Sequence, residues 1–167
     1  MNAKNQMIEA VMNRAMKGLH LGRPKGTIEE IEMFRKKFFP LAEWAVDRVP
    51  KTFSSTVGAA ALKAAVFYGM EKAESFCDRL TKGIFDGIDD PIHLLWQSLT
   101  KKRGKENVIE NYLRCICAVK AFCRNKKLKK LSFSKIDIFE WEEGLKVPPH
   151  LEESTEMVLE KLKPLTV

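Results

Sequence analysis

The sequence predicts an all-α fold: a compact bundle of about six to seven helices in a single helical domain over residues 1–167. Apolar residues recur at helical spacing through most of the chain, and helix-capping signals separate the successive runs. With 45% hydrophobic residues, the chain can bury a sizeable core. An alternating stretch at residues 131–139 is open to a strand or a helix entry, but no partner strand is apparent, which favours helices throughout.

An amphipathic helix is predicted over residues 3–19. Its apolar face is formed by seven residues at helical spacing: Met7, Ile8, Val11, Met12, Ala15, Met16 and Leu19. Because methionine suits adaptable hydrophobic surfaces, this face is also a candidate docking surface for a partner protein.

Capping and proline signals define the second helix. Thr27 and Glu30 fit a capping box, which predicts a helix that reaches about Phe39. Pro40 is expected to end this helix, because proline interrupts the backbone hydrogen bonds of a helix interior. Residues 41–49 are therefore predicted as a shorter, separate helix.

Three further helices are predicted in the middle of the chain, the last of them at about residues 106–124. An alanine-rich helix is predicted after residues 54–56, with Gly83 as its C-cap. Asp90 and Pro91 provide the N-cap and first position of the next helix, which is expected to end near Arg103.

Residues 108–123 contain few polar side chains, so a helix over about residues 106–124 is predicted at the centre of the core. It forms a hairpin with the preceding helix at residues 91–124, similar to a helix-turn-helix corner. Residues 142–167 are predicted as a connector followed by a C-terminal helix over residues 152–162.

The net charge of +7 is concentrated in a basic segment, residues 101–135. This segment holds 12 basic and two acidic residues, whereas the rest of the chain holds 17 basic and 20 acidic ones. Its basic side chains form two main clusters, at the hairpin turn and after the central helix: Lys101, Lys102, Arg103 and Lys105, and then Arg124, Lys126, Lys127, Lys129 and Lys130. A straight hairpin would hold the clusters about 30 Å apart.

This charge pattern indicates a nucleic-acid ligand, with DNA favoured, because contacts to phosphates add cumulatively to affinity. Cations near helix C-termini also complement the helix dipole without any ligand. Two clusters of this size exceed what capping requires, so we expect a non-enzymatic accessory or regulatory protein that contacts phosphates through them.

The loop between the first two helices contains Gly22-Arg23-Pro24-Lys25, which resembles the AT-hook, a short segment that lies in the minor groove of A·T-rich DNA. The resemblance implies that Arg23 is the residue inserted into the groove, with Lys25 beside it. Leu21 stands where a flanking basic residue is expected, and turn chemistry explains the same glycine and proline, so a plain loop is favoured.

Residues 107–141 resemble the helical core-binding domain of tyrosine recombinases, which grips DNA alongside a catalytic domain. The matching positions are mainly apolar: Tyr112, Leu113, Val119, Phe122, Leu128, Leu131 and Ile136-Asp137-Ile138. The resemblance implies contact with DNA. It does not imply recombinase activity, because no matching Arg-His-Arg and Tyr catalytic constellation follows in the sequence.

The cysteines lie in apolar patterns, which predicts buried, reduced thiols: Cys77, Cys115, Cys117 and Cys123. A zinc site that also uses His93 is disfavoured, because Cys115 and Cys117 would point about 200° apart on a helix. We therefore expect no metal and no cofactor. The sequence shows neither a signal-peptide pattern nor the apolar run of about 20 residues that a membrane span needs, so a cytoplasmic protein without membrane association is expected.

Two alternative functions remain open. A metal-dependent nuclease would use a carboxylate and histidine group beside the basic surface, although turn and capping chemistry explains these residues better: Asp86, Asp89, Asp90 and His93. A helical adaptor would instead bind an acidic protein with its basic face and dock a partner with its first helix. Homodimerisation is also open and would double the basic surface.

Overall fold

The computed structural model describes residues 2–49, 53–101, 107–131, 138–142 and 145–163. These residues contain seven α-helices and no β-strand, which confirms the predicted all-α bundle. The helices are α1 (Ala3–Lys17), α2 (Ile28–Arg48), α3 (Ser55–Tyr68), α4 (Met70–Lys82), α5 (Pro91–Thr100), α6 (Val108–Cys123) and α7 (Glu152–Lys161). Of the stretch at residues 131–139, the described residues are 131, 138 and 139, and they lie in neither helix nor strand.

Helix α3 lies at the centre of the bundle, where it contacts α1, α2, α4, α6 and α7. Every residue from Thr56 to Val66 is buried. Small side chains let the neighbouring helices approach closely, and a Cβ at Gly58 would lie only 2.6 Å from a methyl carbon of Val11 on α1. The predicted central helix α6 buries nine of its 16 residues. Two adjacent helices therefore form the middle of the core.

The predicted helix boundaries are confirmed where local capping decides them. The Thr27 hydroxyl accepts a hydrogen bond from the Glu30 N–H at 3.1 Å, and the Glu30 carboxylate accepts one from the Thr27 N–H at 3.0 Å. The Asp90 carboxylate accepts a hydrogen bond from the Ile92 N–H at 2.9 Å at the start of α5. Gly83 ends α4 in the left-handed conformation.

The predicted break at Pro40 is wrong, because α2 continues through this residue as one helix. A proline inside a helix removes a backbone donor and costs about 3 kcal/mol. The buried apolar face nevertheless continues on both sides, with Phe38 before Pro40 and Leu41 and Trp44 after it. Because each large apolar side chain contributes about 1.5–3 kcal/mol when buried, packing outweighs the local cost.

The predicted single alanine-rich helix is in fact two helices, because the helical conformation is interrupted at Gly69 between α3 and α4. Gly69 has a φ of +94°, a conformation that side-chain-bearing residues rarely adopt. Helices α5 and α6 pack against each other as the predicted hairpin. None of the helices in the described ranges combines the length and apolar character that crossing a lipid bilayer requires.

Candidate nucleic-acid interface

Helix α6 ends in a Schellman motif that turns the chain into the second basic cluster. The Lys126 N–H donates to the Ala121 carbonyl at 2.8 Å, and the Asn125 N–H donates to the Phe122 carbonyl at 3.0 Å. Asn125 occupies the left-handed position with a φ of +56°. This motif fixes the direction in which residues 124–130, here called the basic loop, leave the helix.

Hydrogen bonds hold the basic loop at its start and at Leu128. At its start, the Lys72 ammonium on α4 donates to the carbonyl of Cys123 at 2.8 Å. Further along, the Leu128 N–H donates to the Asp89 carbonyl at 2.9 Å in the turn before α5. The loop is therefore fixed against α4 and the α4–α5 turn.

Four lysines of the basic loop project into solvent: Lys126, Lys127, Lys129 and Lys130. Within the described part of the chain, none of them forms an ion pair or a side-chain hydrogen bond. Lysines elsewhere do pair, as in the contact of Lys37 with Glu156 at 2.9 Å. The side chain that caps the terminal carbonyl of α6 is Lys72, which lies outside the basic loop.

Two partly exposed aromatic residues, Phe67 and Tyr68, adjoin the basic loop at the C-terminal end of α3. Arg124 lies beside the Tyr68 phenol. Partial burial raises the pKa of this phenol, and the nearby Arg124 guanidinium opposes the rise. Phe67 stacks on the buried ring of Phe139 with 4.6 Å between ring centroids. The Lys120 ammonium lies 5.5 Å from the centroid of the same Phe139 ring.

The first basic cluster is described in part. Lys101 is exposed at the end of α5, whereas Lys102, Arg103 and Lys105 lie outside the described residues. Since the 16 residues of α6 span about 24 Å, Lys101 and Arg124 mark opposite ends of the hairpin.

Arg23 and Lys25 are exposed in the loop between α1 and α2. Lys25 lines a cavity of about 410 Å³ together with Ile138 and Glu142. The loop fits turn chemistry, with Gly26 at a φ of +151°.

The acidic turn before α5 is occupied by structural contacts. The Arg79 guanidinium lies 3.0 Å from the Asp86 carboxylate and 3.7 Å from the Asp90 carboxylate. The Asp90 carboxylate also accepts a hydrogen bond from the Asp86 N–H, and His93 packs against the ring of Phe85. Across the described ranges, no three histidine, cysteine or carboxylate side chains lie together as a metal site.

The four cysteines are buried and form no disulfide with one another, as the sequence predicts. Burial raises the pKa of the Cys77 and Cys115 thiols to about 12 and that of the Cys123 thiol to about 11. These three thiols are therefore protonated at neutral pH, when they are poor nucleophiles and poor metal ligands.

The structure also contains a buried charge network of Lys63, Tyr112 and Glu142, which sequence reasoning missed. The Lys63 ammonium donates to the Glu142 carboxylate at 2.8 Å and to the Trp141 carbonyl at 2.9 Å. The Tyr112 hydroxyl donates to the same carboxylate at 2.9 Å. Burial lowers the pKa of Lys63 and raises that of Tyr112, and the Glu142 charge opposes the first shift. The groups are enclosed and bonded to one another, which makes their role structural.

Comparison of the chain with protein-family models, curated proteins and solved structures gives no match.

The left-handed turn at Asn125 gives a stability test of the basic loop. We expect Asn125→Ala to lower the free energy of unfolding by about 1 kcal/mol, because alanine lacks the short polar side chain that lets asparagine tolerate this left-handed φ, whereas Asn125→Gly should retain or slightly raise it. Urea unfolding followed by circular dichroism measures both variants. Equal stability of the alanine and glycine variants would show that the Schellman turn does not form as described.

Proposed function

We propose that the protein binds nucleic acid, with DNA preferred, and that the basic loop contacts backbone phosphates. The observation that carries the proposal is the set of four exposed lysines without partners in the described structure, on a loop held by hydrogen bonds at Cys123, just before it, and at Leu128. Phosphate neutralisation by such cations releases counterions and gives affinity independent of base sequence. The proposed role is accessory or regulatory and non-enzymatic.

The fixed loop supports this proposal energetically. A loop already held in place loses less conformational freedom on binding, so more of the electrostatic attraction appears as affinity. Lys72 belongs to the same surface, although its ammonium caps α6. The concentration of positive charge in residues 101–135 also favours attraction of a polyanion over a longer range. A cytoplasmic location is proposed as well, supported by four cysteines that form no disulfide with one another.

The decisive experiment is a salt series of binding to labelled duplex DNA, single-stranded DNA and RNA. The test variant replaces Lys126, Lys127, Lys129 and Lys130 with Ala. A charge-matched control replaces four exposed lysines outside the basic segment: Lys4, which pairs with Asp47, and Lys36, Lys146 and Lys161. Both variants lose the same net charge, so a difference between them reports the location of the binding surface.

We expect log affinity of the wild type to fall linearly with log salt. On duplex DNA, the slope should become shallower by about 0.9 for each phosphate that the test variant no longer neutralises, and affinity should fall at least about tenfold. The control variant should stay close to the wild type. Equal reductions in both variants would mean that only net charge matters, and absence of wild-type binding near physiological salt would refute the proposal.

An acidic protein partner is the alternative ligand for the same loop. The other docking face of the adaptor hypothesis is largely used by the core: Met12 and Met16 on α1 are buried, whereas Met7 is partly exposed. Excess DNA should displace an acidic protein from the basic loop only if the two ligands share this surface. A partner that stays bound at saturating DNA would support the adaptor function instead.

A further inference from the structure

The break at Gly69 leaves an open space beside the aromatic residues at the end of α3. Apart from its chain neighbours Tyr68 and Met70, a Cβ built on Gly69 would meet nothing within 4 Å, so the surface above its backbone is open. Phe67 and Tyr68 precede this break and are both partly exposed. The chain therefore presents two adjacent aromatic side chains next to an unobstructed surface.

The two rings lie on one surface with the cationic side chains of Arg124 and Lys72. Arg124, the first residue of the basic loop, lies beside Tyr68, and the Lys72 ammonium donates to the preceding carbonyl of Cys123. Phe139 is buried and contacts both rings, at centroid distances of 4.6 Å to Phe67 and 6.2 Å to Tyr68. The rings are thus supported from the core side.

We propose that this surface binds single-stranded nucleic acid, with bases stacking on Tyr68 and Phe67 while the basic loop contacts the phosphates. The inference rests on the proposed function and narrows its ligand class. Aromatic rings beside a cationic surface are the combination that holds unpaired bases, because every base offers a face for stacking. In a duplex those faces are covered by neighbouring base pairs, so the rings would add little.

The test compares Tyr68→Ala with Tyr68→Phe on a 20-nucleotide oligothymidylate and a 20-base-pair duplex. Tyr68→Ala should weaken binding of the oligothymidylate by about tenfold or more, with an unchanged salt slope, because it removes a stacking ring and no charge. Duplex binding should change less than twofold. Tyr68→Phe should resemble the wild type, because it keeps the ring and removes only the hydroxyl beside Arg124.

A second measurement uses the wild-type protein, so it does not depend on the folding of a variant. Oligothymidylate carrying 5-iodouracil should crosslink under ultraviolet light to the peptide that contains Phe67 and Tyr68. Crosslinks confined to other peptides would overturn the inference, as would equal weakening of single-stranded and duplex binding in a folded Tyr68→Ala variant. If the wild type binds neither ligand, the proposed function itself fails. If the four-lysine variant loses binding and Tyr68→Ala does not, the phosphate contacts are supported and only the stacking proposal fails.

Discussion

Glu142→Ala is expected to lower the free energy of unfolding by about 3–5 kcal/mol. The substitution leaves the Lys63 ammonium without its countercharge in a site where both side chains are almost completely buried. It also removes the acceptor of the Tyr112 hydroxyl. A buried polar or charged group that loses its partner retains the full cost of its removal from water.

Urea unfolding followed by circular dichroism at 222 nm measures this decrease without relying on the fluorescence of nearby Trp141. The matched control is the triple variant Lys63→Met, Tyr112→Phe and Glu142→Leu, which replaces the whole network with apolar groups. It should be clearly more stable than Glu142→Ala, because no buried charge or hydroxyl is left without a partner. A decrease below about 1 kcal/mol in Glu142→Ala would show that water reaches the Lys63 ammonium.

Gly18→Ala should also be strongly destabilising, by about 3–5 kcal/mol. Gly18 ends α1 with φ and ψ of +54° and −116°, which disfavour a side chain. An added Cβ would lie 2.2 Å from the backbone carbonyl oxygen of Glu142 and 2.6 Å from its carboxylate. Because a backbone atom cannot rotate away, the substitution must displace the segment that carries the buried charge network.

Gly69→Ala separates backbone strain from this clash. Gly69 has a positive φ of +94°, but its added Cβ would meet no atom within 4 Å. We expect Gly69→Ala to lower the free energy of unfolding by about 1–3 kcal/mol from strain alone, and Gly18→Ala to lower it more. Chemical denaturation of the two variants in parallel checks the order. Equal decreases would contradict the close approach of Gly18 to Glu142.

The fold could be predicted where short-range chemistry decides it, and less well where tertiary packing does. The capping box at Thr27 and the left-handed Gly83 depend on residues within one helical turn, and both were predictable. Pro40 stays inside α2 because of packing against other helices, which no local signal reveals. Lys63 interrupts an otherwise apolar run, and this lone charge was the one sequence signal of its buried partner.

The same distinction applies to the candidate interface. The lysines of the basic loop are adjacent in the sequence, so their clustering was visible from charge alone. Lys72 joins them through a contact with Cys123, 51 residues further along the chain. Tyr68 reaches Arg124 over a similar separation. Contacts of this kind depend on how α3 and α4 pack against α6, so their members could not be assigned from spacing.

The buried charge network has a consequence for the order in which the chain assembles during synthesis. Lys63 and Glu142 are 79 residues apart in sequence, and each is almost completely buried in the folded protein. Until Glu142 leaves the ribosome, α3 cannot enter the core without enclosing an unpaired ammonium. The α5–α6 hairpin can form earlier from local contacts, whereas closure around α3 must wait for this late residue. Nascent chains that stop before residue 142 should therefore remain open around α3 and depend on chaperones.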